Sequence, residues 1–248
     1  MRDAGLPQTL LSVFRRVLGT RVSAALAAAL AQSGAREAEA WLRRMLKEAS
    51  SQNLWHAPLD ALRYVVVDTE TTGFDPRRDA LIAVGAVEMV GAERTARTFH
   101  TLVRPDPPVP IPPHVANLTG IRDADVATAP PLGEVLRGFL AFARDGVLVM
   151  HHAGHDVRFL NAALRRRMGL TLPHWEVDTC TVARRLVELP AYRLDDVVAW
   201  YGIPVNGRHT ALGDASLTAE LWRRQLDELR SRGITTLGRL YETVWRTG

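Results

Sequence analysis

A run of valines in the stretch "YVVVDTETTGFDP", residues 64–76, ends in two acids, Asp68 and Glu70. The valines predict a buried strand. Residues two apart on a strand project from the same face, so both carboxylates point one way while Thr69 points the other. Like charges at the edge of an apolar strand repel each other and lose hydration. The pair is stable if it shares a proton, binds a cation or faces open solvent, and the residues alone leave these states open.

A third acid, Asp156, lies just beyond the apolar stretch "VLVMHH" and at the start of a predicted helix. Ligands bind at strand ends in helix-covered sheets, which favours a functional role. An aspartate at a helix start is also a common N-cap, so both interpretations stay open for this position.

His209 and Asp214 stand in the stretch "GRHTALGDASLTAELW". They are five residues apart, which is about 140° around a continuous helix, so they do not share a helical face. They converge only if His209 lies in the loop after Gly207 while Asp214 opens the following helix. A histidine beside a glycine is otherwise an ordinary surface residue.

The elements around these residues predict a mixed sheet with helices packed on it. Strands are predicted for "LRYVVVDTE", "ALIAVGAVEMVG", "ARTFHTLVRP" and "VLVMHH", and "WEVDTCTVARRL" predicts a strand that passes into a helix capped by Asp178. The stretch "PLGEVLRGFLAFARDG" predicts a helix ending at Gly146, and further helices are predicted from "DVRFLNAALRRRMG", "RLDDVVAWYG" and "ALGDASLTAELWRRQLDELRSRG". We therefore predict an α/β domain over residues 61–228, a helical extension over residues 1–60 and a short helical tail over residues 229–248.

The composition is that of a globular protein of 248 residues, with 47% hydrophobic residues and no apolar run as long as a membrane span. Cys180 is the only cysteine, which excludes an intramolecular disulfide and favours the reducing cytoplasm. The net charge of +4 permits an anionic partner. Lys47 is the only lysine, and the arginine fork suits phosphate, although a genome-wide preference for arginine explains this equally.

Three stretches together, "VVDTETTG", "HHAGHD" and "HTALGDA", resemble in order and separation the three exonuclease motifs of the DEDD superfamily, His subtype. This group contains the proofreading epsilon subunit of bacterial replicative DNA polymerase. The resemblance covers about residues 62–226, and the second motif is the weakest of the three. It implies an RNase-H-like fold and hydrolysis of nucleic acid from its 3′ end, with DNA as the expected substrate.

Carried over position by position, the resemblance implies that four acids are metal ligands and that His209 is the general base. In the family's arrangement Asp68 bridges two divalent cations. Glu70 and Asp214 complete the cation on the water side, and Asp156 serves the other. Oxygen-only ligands suit Mg²⁺ or Mn²⁺, and two such ions can activate water and stabilise the departing oxygen of a phosphodiester. Imidazole titrates near neutrality, which suits a base.

The loop after the first motif is expected to hold the terminal nucleotide. Its backbone from Thr69 to Phe74 would grip the nucleotide, and the Phe74 ring would pack on a sugar or base unless it only packs within the loop. The candidate substrate-binding residues are Thr69, Thr71, Thr72, Gly73, Phe74 and His155.

The second motif departs from the family's usual His-Asn-Ala-x-Phe-Asp. His152 replaces the amide and His155 replaces the aromatic ring, so the packing of the terminal base stays open, whereas the carboxylate of Asp156 is retained. The three histidines also allow a zinc interpretation, because His151 and His155 have the spacing of a zincin helix. A histidine at the position of that motif's glutamate base, and Gly154 at a strand-to-helix junction, count against zinc.

Two alternatives to a free-standing DNA exonuclease stay open. No residue reads a 2′-hydroxyl recognisably, so an exoribonuclease of the same superfamily fits the same motifs. The chain could also be a proofreading or accessory subunit that is active when a DNA polymerase binds it. The stretch "QTLLSVF", residues 8–14, is similar to peptides that dock on sliding clamps, although on a helix it is merely an apolar face.

Overall fold

The computed structural model of the chain describes residues 43, 44, 47, 52–205 and 207–245. Within these residues, five strands form one sheet: β1 (Arg63–Thr71), β2 (Leu81–Val90), β3 (Glu93–Leu102), β4 (Val147–Met150) and β5 (Glu176–Asp178). The strands lie in the order β3-β2-β1-β4-β5. The first three pair antiparallel, β4 pairs parallel with β1, and β5 pairs parallel with β4. The predicted mixed sheet is confirmed.

The helices pack on both faces of this sheet. In the described part of the chain they are α1 (Pro113–Thr119), α2 (Asp123–Ala127), α3 (Leu132–Ala143), α4 (Gly154–Met168), α5 (Thr179–Leu186), α6 (Leu194–Trp200), α7 (Ala211–Ser231) and α8 (Leu237–Trp245). A 3-10 turn over Leu59–Ala61 leads into β1. The alternation of helix and strand after β3 matches the pattern predicted from the sequence.

The alternation of side chains on β1 divides the interior into two cores. Val65 and Val67 pack with α3 and α4, whereas Tyr64 and Val66 pack on the other face with α5, α7 and α8. Trp222 of α7 is fully buried in this second core, with its ring edge-on to Tyr64 at a centroid distance of 5.4 Å. Because helices cover both faces, the middle of β1, from Tyr64 to Val67, is buried on both sides.

The helix predicted to end at Gly146 ends instead at Ala143. Arg144 follows with a positive φ of 49°. The Arg63 guanidinium, which comes from β1, donates to the carbonyl oxygens of Phe142 and Ala143 at 2.6 Å each. This distant side chain satisfies the last carbonyls of α3, and a local sequence pattern does not reveal such a cap.

The C-terminal helix is part of the second core. α7 continues past residue 228 to Ser231, so the predicted boundary at residue 228 lies inside a helix. Leu237, Leu240 and Val244 of α8 are buried in the same core as Tyr64.

The expected helical extension over residues 1–60 lies largely outside the described residues, which include only positions 43, 44, 47 and 52–60 of that range. The candidate clamp-docking stretch at residues 8–14 lies outside them entirely. Within the described residues, no helix has both the length and the hydropathy needed to cross a membrane.

Candidate active site

Three acids meet at the end of β1. Asp68 and Glu70 project from one face of the strand, and Asp214 lies in the first turn of α7, which packs on that face. One carboxylate oxygen of each residue lies within 4.8 Å of those of the other two. The regular pairing of β1 with β2 breaks between Glu70 and Thr71. The first and third motifs therefore share one pocket.

Gly85 of β2 allows α7 to approach these acids. It pairs with Asp68 across the sheet, and a Cβ atom at this position would lie 2.2 Å from the carbonyl carbon of Ala211. Only a residue without a side chain lets the first turn of α7 lie directly on β2. Gly85 was not among the predicted site residues, although a glycine inside a strand pattern is a known sign of close backbone approach.

Gly85→Ala is expected to displace the first turn of α7 and, with it, Asp214. Overpacking of this kind costs about 1–3 kcal/mol, so the melting temperature should fall by several degrees and cleavage should weaken. Thermal melts and nuclease assays on one preparation measure both effects. Gly133→Ala on α3 is the matched control, because its added Cβ would have Arg137 Nη1 as nearest neighbour at 3.8 Å. If Gly85→Ala had the melting temperature and the cleavage rate of the wild type, the close packing of α7 on Gly85 would be contradicted.

Asp156 approaches the end of β1 from the side of α4. It lies in the first turn of that helix and is 4% exposed. Its Oδ1 accepts a hydrogen bond of 2.6 Å from the hydroxyl of Thr69, which projects from the face opposite to Asp68 and Glu70. The N-cap of α4 is Ala153, so the N-cap alternative for Asp156 is wrong. The four acids therefore straddle the end of the strand.

Three of these acids hold their protons more tightly than usual. Burial raises the pKa of Asp68 well above its usual value, and the charges of the other three acids raise it further. Burial, followed by the charges of Asp214 and Asp156, raises the pKa of Glu70 to about 7. Burial also raises the pKa of Asp156 to about 7, against the hydrogen bond from Thr69, which lowers it.

This donor set fits divalent metal ions. The candidate ligand atoms are carboxylate oxygens, which suit hard cations such as Mg²⁺ and Mn²⁺. The repulsion and burial that raise the pKa of these acids would both be offset by a cation among them. A cation bound among these acids would therefore favour their charged forms and lower the pKa of each of the three carboxyls whose pKa is raised.

Arg208 supplies a positive charge to the acid cluster. Its Nη1 pairs with Oδ1 of Asp214, and its Nε binds Oδ1 of Asp195 on α6 at 2.7 Å. The Arg208 charge lowers the pKa of both Asp68 and Glu70, against the larger effect of burial. Arg208 was not predicted as a site residue, although it directly precedes His209 in the third motif.

The protein in EDTA is expected to lose stability as the pH rises from about 5 to about 8. The folded carboxyls of Glu70 and Asp156 release their protons only near pH 7, whereas their reference values are 4.5 and 3.8. The folded state therefore binds more protons than the unfolded state in this window, and the free energy of unfolding falls as the pH rises.

Melting temperatures at the two ends of this window, with EDTA and with saturating Mn²⁺, measure this effect. A loss of several degrees in EDTA should be reversed by Mn²⁺ at the higher pH, and Glu70→Gln should show a flatter profile in EDTA. A melting temperature that rises with pH in EDTA would be inconsistent with the raised pKa values.

His209 lies in the loop directly before α7, with a left-handed φ of 61°. Its backbone N–H donates to Oδ2 of Asp214 at 3.3 Å, so the two residues converge in the way their spacing requires. Thr210 caps α7, and a Cβ on Gly213 would lie 1.8 Å from the carbonyl oxygen of Gly207. A non-glycine residue with this φ is uncommon, which indicates that close packing holds the loop in its shape.

A group of rings borders the pocket beside the loop after β1. Nε2 of His155 lies 3.2 Å from Oγ1 of Thr71, and the His155 ring contacts Phe159 at 4.8 Å and Phe74 at 5.8 Å. Phe74 is 81% exposed. The Phe74 ring therefore faces solvent over most of its surface, with one contact to the His155 ring.

Thr72 and Gly73 shape the same loop from within. The Thr72 N–H donates to the Ala80 carbonyl, and its hydroxyl accepts from the Ala80 N–H, at 2.9 Å each. A Cβ on Gly73 would lie 2.4 Å from a carboxylate oxygen of Asp79. Thr72 is buried, so its side chain supports the loop rather than facing the pocket.

His151 is bonded within the fold through both ring nitrogens. Its Nε2 lies 3.0 Å from the carbonyl oxygen of Tyr192, and its Nδ1 lies 2.8 Å from the hydroxyl of Thr179. Burial lowers the pKa of His151 to about 4, so the ring is neutral near pH 7. His155 bonds Thr71 instead of facing His151. His151 and His155, the pair behind the zinc interpretation, therefore bond different partners, and the ligand atoms that lie within 4.8 Å of those of His151 belong to His152 and Cys180.

A family model described as an exonuclease, RNase_T, matches residues 65–222. DNA polymerase III subunit epsilon from Aquifex aeolicus is 36% identical over 167 residues, which cover 67% of this chain and 81% of that protein. An epsilon-like protein from Rhodobacter capsulatus is 38% identical over 82% of this chain, which spans 29% of that relative. PolC-type DNA polymerase III from Thermotoga maritima is 36% identical over 71% of this chain, which spans 13% of that relative.

Solved structures with the same fold are also nucleases. Exonuclease X, solved in complex with 5′-overhanging duplex DNA, is 25% identical with a TM-score of 0.56 over 73% of this chain and 99% of its own. The nuclease domain of 3′hExo, a DEDDh family member solved with rAMP, is 20% identical with a TM-score of 0.60 over 67% of this chain and 92% of its own. At that identity, the second match supports the fold alone.

A mixed sheet with acids gathered at the end of its central strand defines an RNase-H-like fold. The chain belongs to the exonuclease family, whose model matches residues 65–222. The fold expected from the three motifs is confirmed.

Proposed function

We propose that the chain removes nucleotides from single-stranded or frayed 3′ ends of DNA by hydrolysing the terminal phosphodiester. The observation that carries this proposal is the convergence of Asp68, Glu70 and Asp214, with carboxylate oxygens within 4.8 Å of one another at the end of β1. Such a cluster is unfavourable alone and favourable with the cations that phosphodiester hydrolysis uses. The relatives named as DNA polymerase III proteins favour DNA over RNA.

Two Mg²⁺ or Mn²⁺ ions are the proposed cofactors. Asp68, Glu70 and Asp214 would hold one ion, and Asp156 would hold a second together with Asp68. When bound, such ions supply Lewis acidity for the phosphate, the attacking water and the leaving oxygen. The protein contributes the orientation of its carboxylates, and the hydroxyl of Thr69 fixes that of Asp156.

His209 is the proposed general base. It is half-buried beside Asp214, in a loop whose shape is set by the start of α7. Its imidazole would accept the proton of the attacking water, a role that histidine side chains often have in hydrolases. On the other side of the pocket, the exposed ring of Phe74 and the pair formed by Thr71 and His155 would contact the terminal nucleotide.

A 5′-labelled single-stranded DNA should be shortened from its 3′ end by the purified chain with Mg²⁺ or Mn²⁺, and it should stay intact in EDTA. A matched RNA oligonucleotide in parallel distinguishes the two polymer classes. Preferential digestion of the RNA would replace this proposal with an exoribonuclease. Digestion that continues in EDTA would refute the metal-dependent mechanism.

We further propose that the chain acts beside a DNA polymerase in the cytoplasm. Three relatives carry the name DNA polymerase III or its epsilon subunit, which supports such a partner. Nucleotide release by the isolated chain would identify a free-standing enzyme, whereas release only after addition of the polymerase would identify an accessory subunit. Substitution of residues 8–14 tests docking on a sliding clamp, because loss of clamp binding is then expected.

A further inference from the structure

A cleft beside the active site has a strongly basic lining. It lies between the loop after β1, the proline-rich loop before α1 and the middle of α4. Its basic side chains are Arg77, Arg78 and Arg166, and Pro105, Pro107 and Phe159 contribute apolar surface. We call this feature the arginine cleft.

The arginine cleft adjoins the proposed nucleotide pocket through one shared side chain. Phe159 lines the cleft, and its ring contacts His155 at a centroid distance of 4.8 Å. His155 in turn lies beside Thr71 and Phe74 at the rim of the pocket. A polymer whose last unit occupies the pocket would therefore meet the cleft with a unit further from its end.

The positive charge of the cleft is available to a ligand. Within the described residues, the guanidinium groups of Arg77 and Arg166 have no acidic partner, and that of Arg78 has only a long contact of 3.9 Å with Asp75. By contrast, exposed arginines on α7 pair with acids one turn away, as Arg230 does with Asp227 at 2.9 Å. Unpaired arginines in a concave surface indicate an anionic ligand.

The two acids of the cleft leave its lining net positive, because Asp106 is paired with Arg167 and the charge of Asp79 opposes only one of the three arginine charges. Asp79 accepts hydrogen bonds from the N–H of Asp75 at 2.9 Å and from the hydroxyl of Thr72 at 3.3 Å.

We propose that the arginine cleft binds a backbone phosphate of the nucleic-acid strand, upstream of the 3′-terminal nucleotide. This inference rests on the proposed function, because it assigns the path of the same substrate. The cleft would hold the strand in line with the acids and would act on substrate binding, not on the chemical step. Short substrates that end before the cleft would gain nothing from it.

The double variant Arg77→Gln/Arg166→Gln tests the cleft through the affinity for single-stranded DNA, measured without cleavage. Fluorescence anisotropy of a labelled single-stranded DNA of about twenty nucleotides, in EDTA to prevent cleavage, gives Kd at several salt concentrations. We expect Kd at low salt to rise on the order of tenfold. The slope of log affinity against log salt should become shallower by about 1.4, at roughly 0.7 for each lost phosphate contact on a single strand.

Arg94→Gln is the matched control, since Arg94 is also an exposed arginine but lies at the start of β3, at the opposite end of the sheet from Asp68. It should bind like the wild type. An unchanged Kd and salt slope in the double variant would overturn the proposal, and so would an equal loss in Arg94→Gln, which would mean that only overall charge matters.

Cleavage of a dinucleotide separates the cleft from the active site. The double variant should retain wild-type kcat/KM on the dinucleotide and lose efficiency only on the long strand. Equal losses on both substrates would indicate damage to the active site and would refute the role of the cleft. If the wild type cleaves neither substrate while the arginine-dependent binding holds, the nuclease proposal fails and the cleft stands.

Discussion

Asp68→Asn is expected to reduce cleavage by at least about a hundredfold while the protein stays folded, since even the loss of an outer partner of a metal ligand costs about 10–100-fold. Asp68 lies next to Glu70 and Asp214 and also feels the charge of Asp156. Asparagine has nearly the same side-chain shape as Asp68, but it lacks the negative charge that would face two cations. Rates of 5′-labelled DNA shortening at saturating Mn²⁺ measure the loss.

The same substitution should stabilise the protein in EDTA at pH 8, because it removes one of the repelling carboxylates. A thermal melt therefore separates loss of chemistry from loss of fold. Asp227→Asn is the matched control, since this aspartate lies on α7 about 20 Å from Asp214, at ~1.5 Å per residue, and should cleave normally. If Asp68→Asn retained cleavage, Asp68 would not be an active-site residue.

His209→Asn is expected to lower kcat by about 10²–10⁴-fold, the usual contribution of a general base, with little change in metal affinity. Asparagine is the suitable replacement because it tolerates the left-handed backbone that His209 adopts at φ 61°. Single-turnover rates give the chemical step, and the rise in melting temperature on Mn²⁺ titration gives the metal affinity.

Asp214→Asn serves as the comparator for this experiment, because it should weaken the Mn²⁺-dependent stabilisation. The contrast between the two variants assigns the roles. If His209→Asn lost as much Mn²⁺ affinity as Asp214→Asn, His209 would be a ligand instead of a base. An unchanged kcat in His209→Asn would mean that His209 is not the general base.

The site features that could be predicted from the sequence depend on short-range geometry: strand alternation, helix capping and residue spacing. Strand geometry alone places Asp68 and Glu70 on one face and Thr69 on the other, and the contacts of these residues follow that division. Helix-start chemistry likewise predicts the Asp178 cap, whose side chain accepts the N–H of Cys180. The spacing of His209 and Asp214 requires a loop before a helix, which the structure contains. Each of these inferences concerns neighbours within about one turn.

The features that the sequence analysis did not predict depend on contacts between segments that are far apart in the chain. Asp178 also accepts the backbone N–H of His152 at 2.9 Å, so one cap holds the second motif in place. Arg63 ends α3 early, and both of its carbonyl partners lie far along the chain. Gly85 carries no chemistry in itself, and its importance comes only from the backbone of α7 that lies against it.

The sequence by itself determined the class of this protein, because three short motifs carry acids and a histidine whose order and local geometry are set by neighbouring residues. Only the tertiary structure decided how those acids sit: three on one face of β1, Asp156 on the other, and Arg208 bonded to Asp214. It also decided that an arginine cleft opens beside them. Burial and mutual repulsion, which raise the pKa of Asp68 and Glu70, arise only when segments far apart in the chain are brought together.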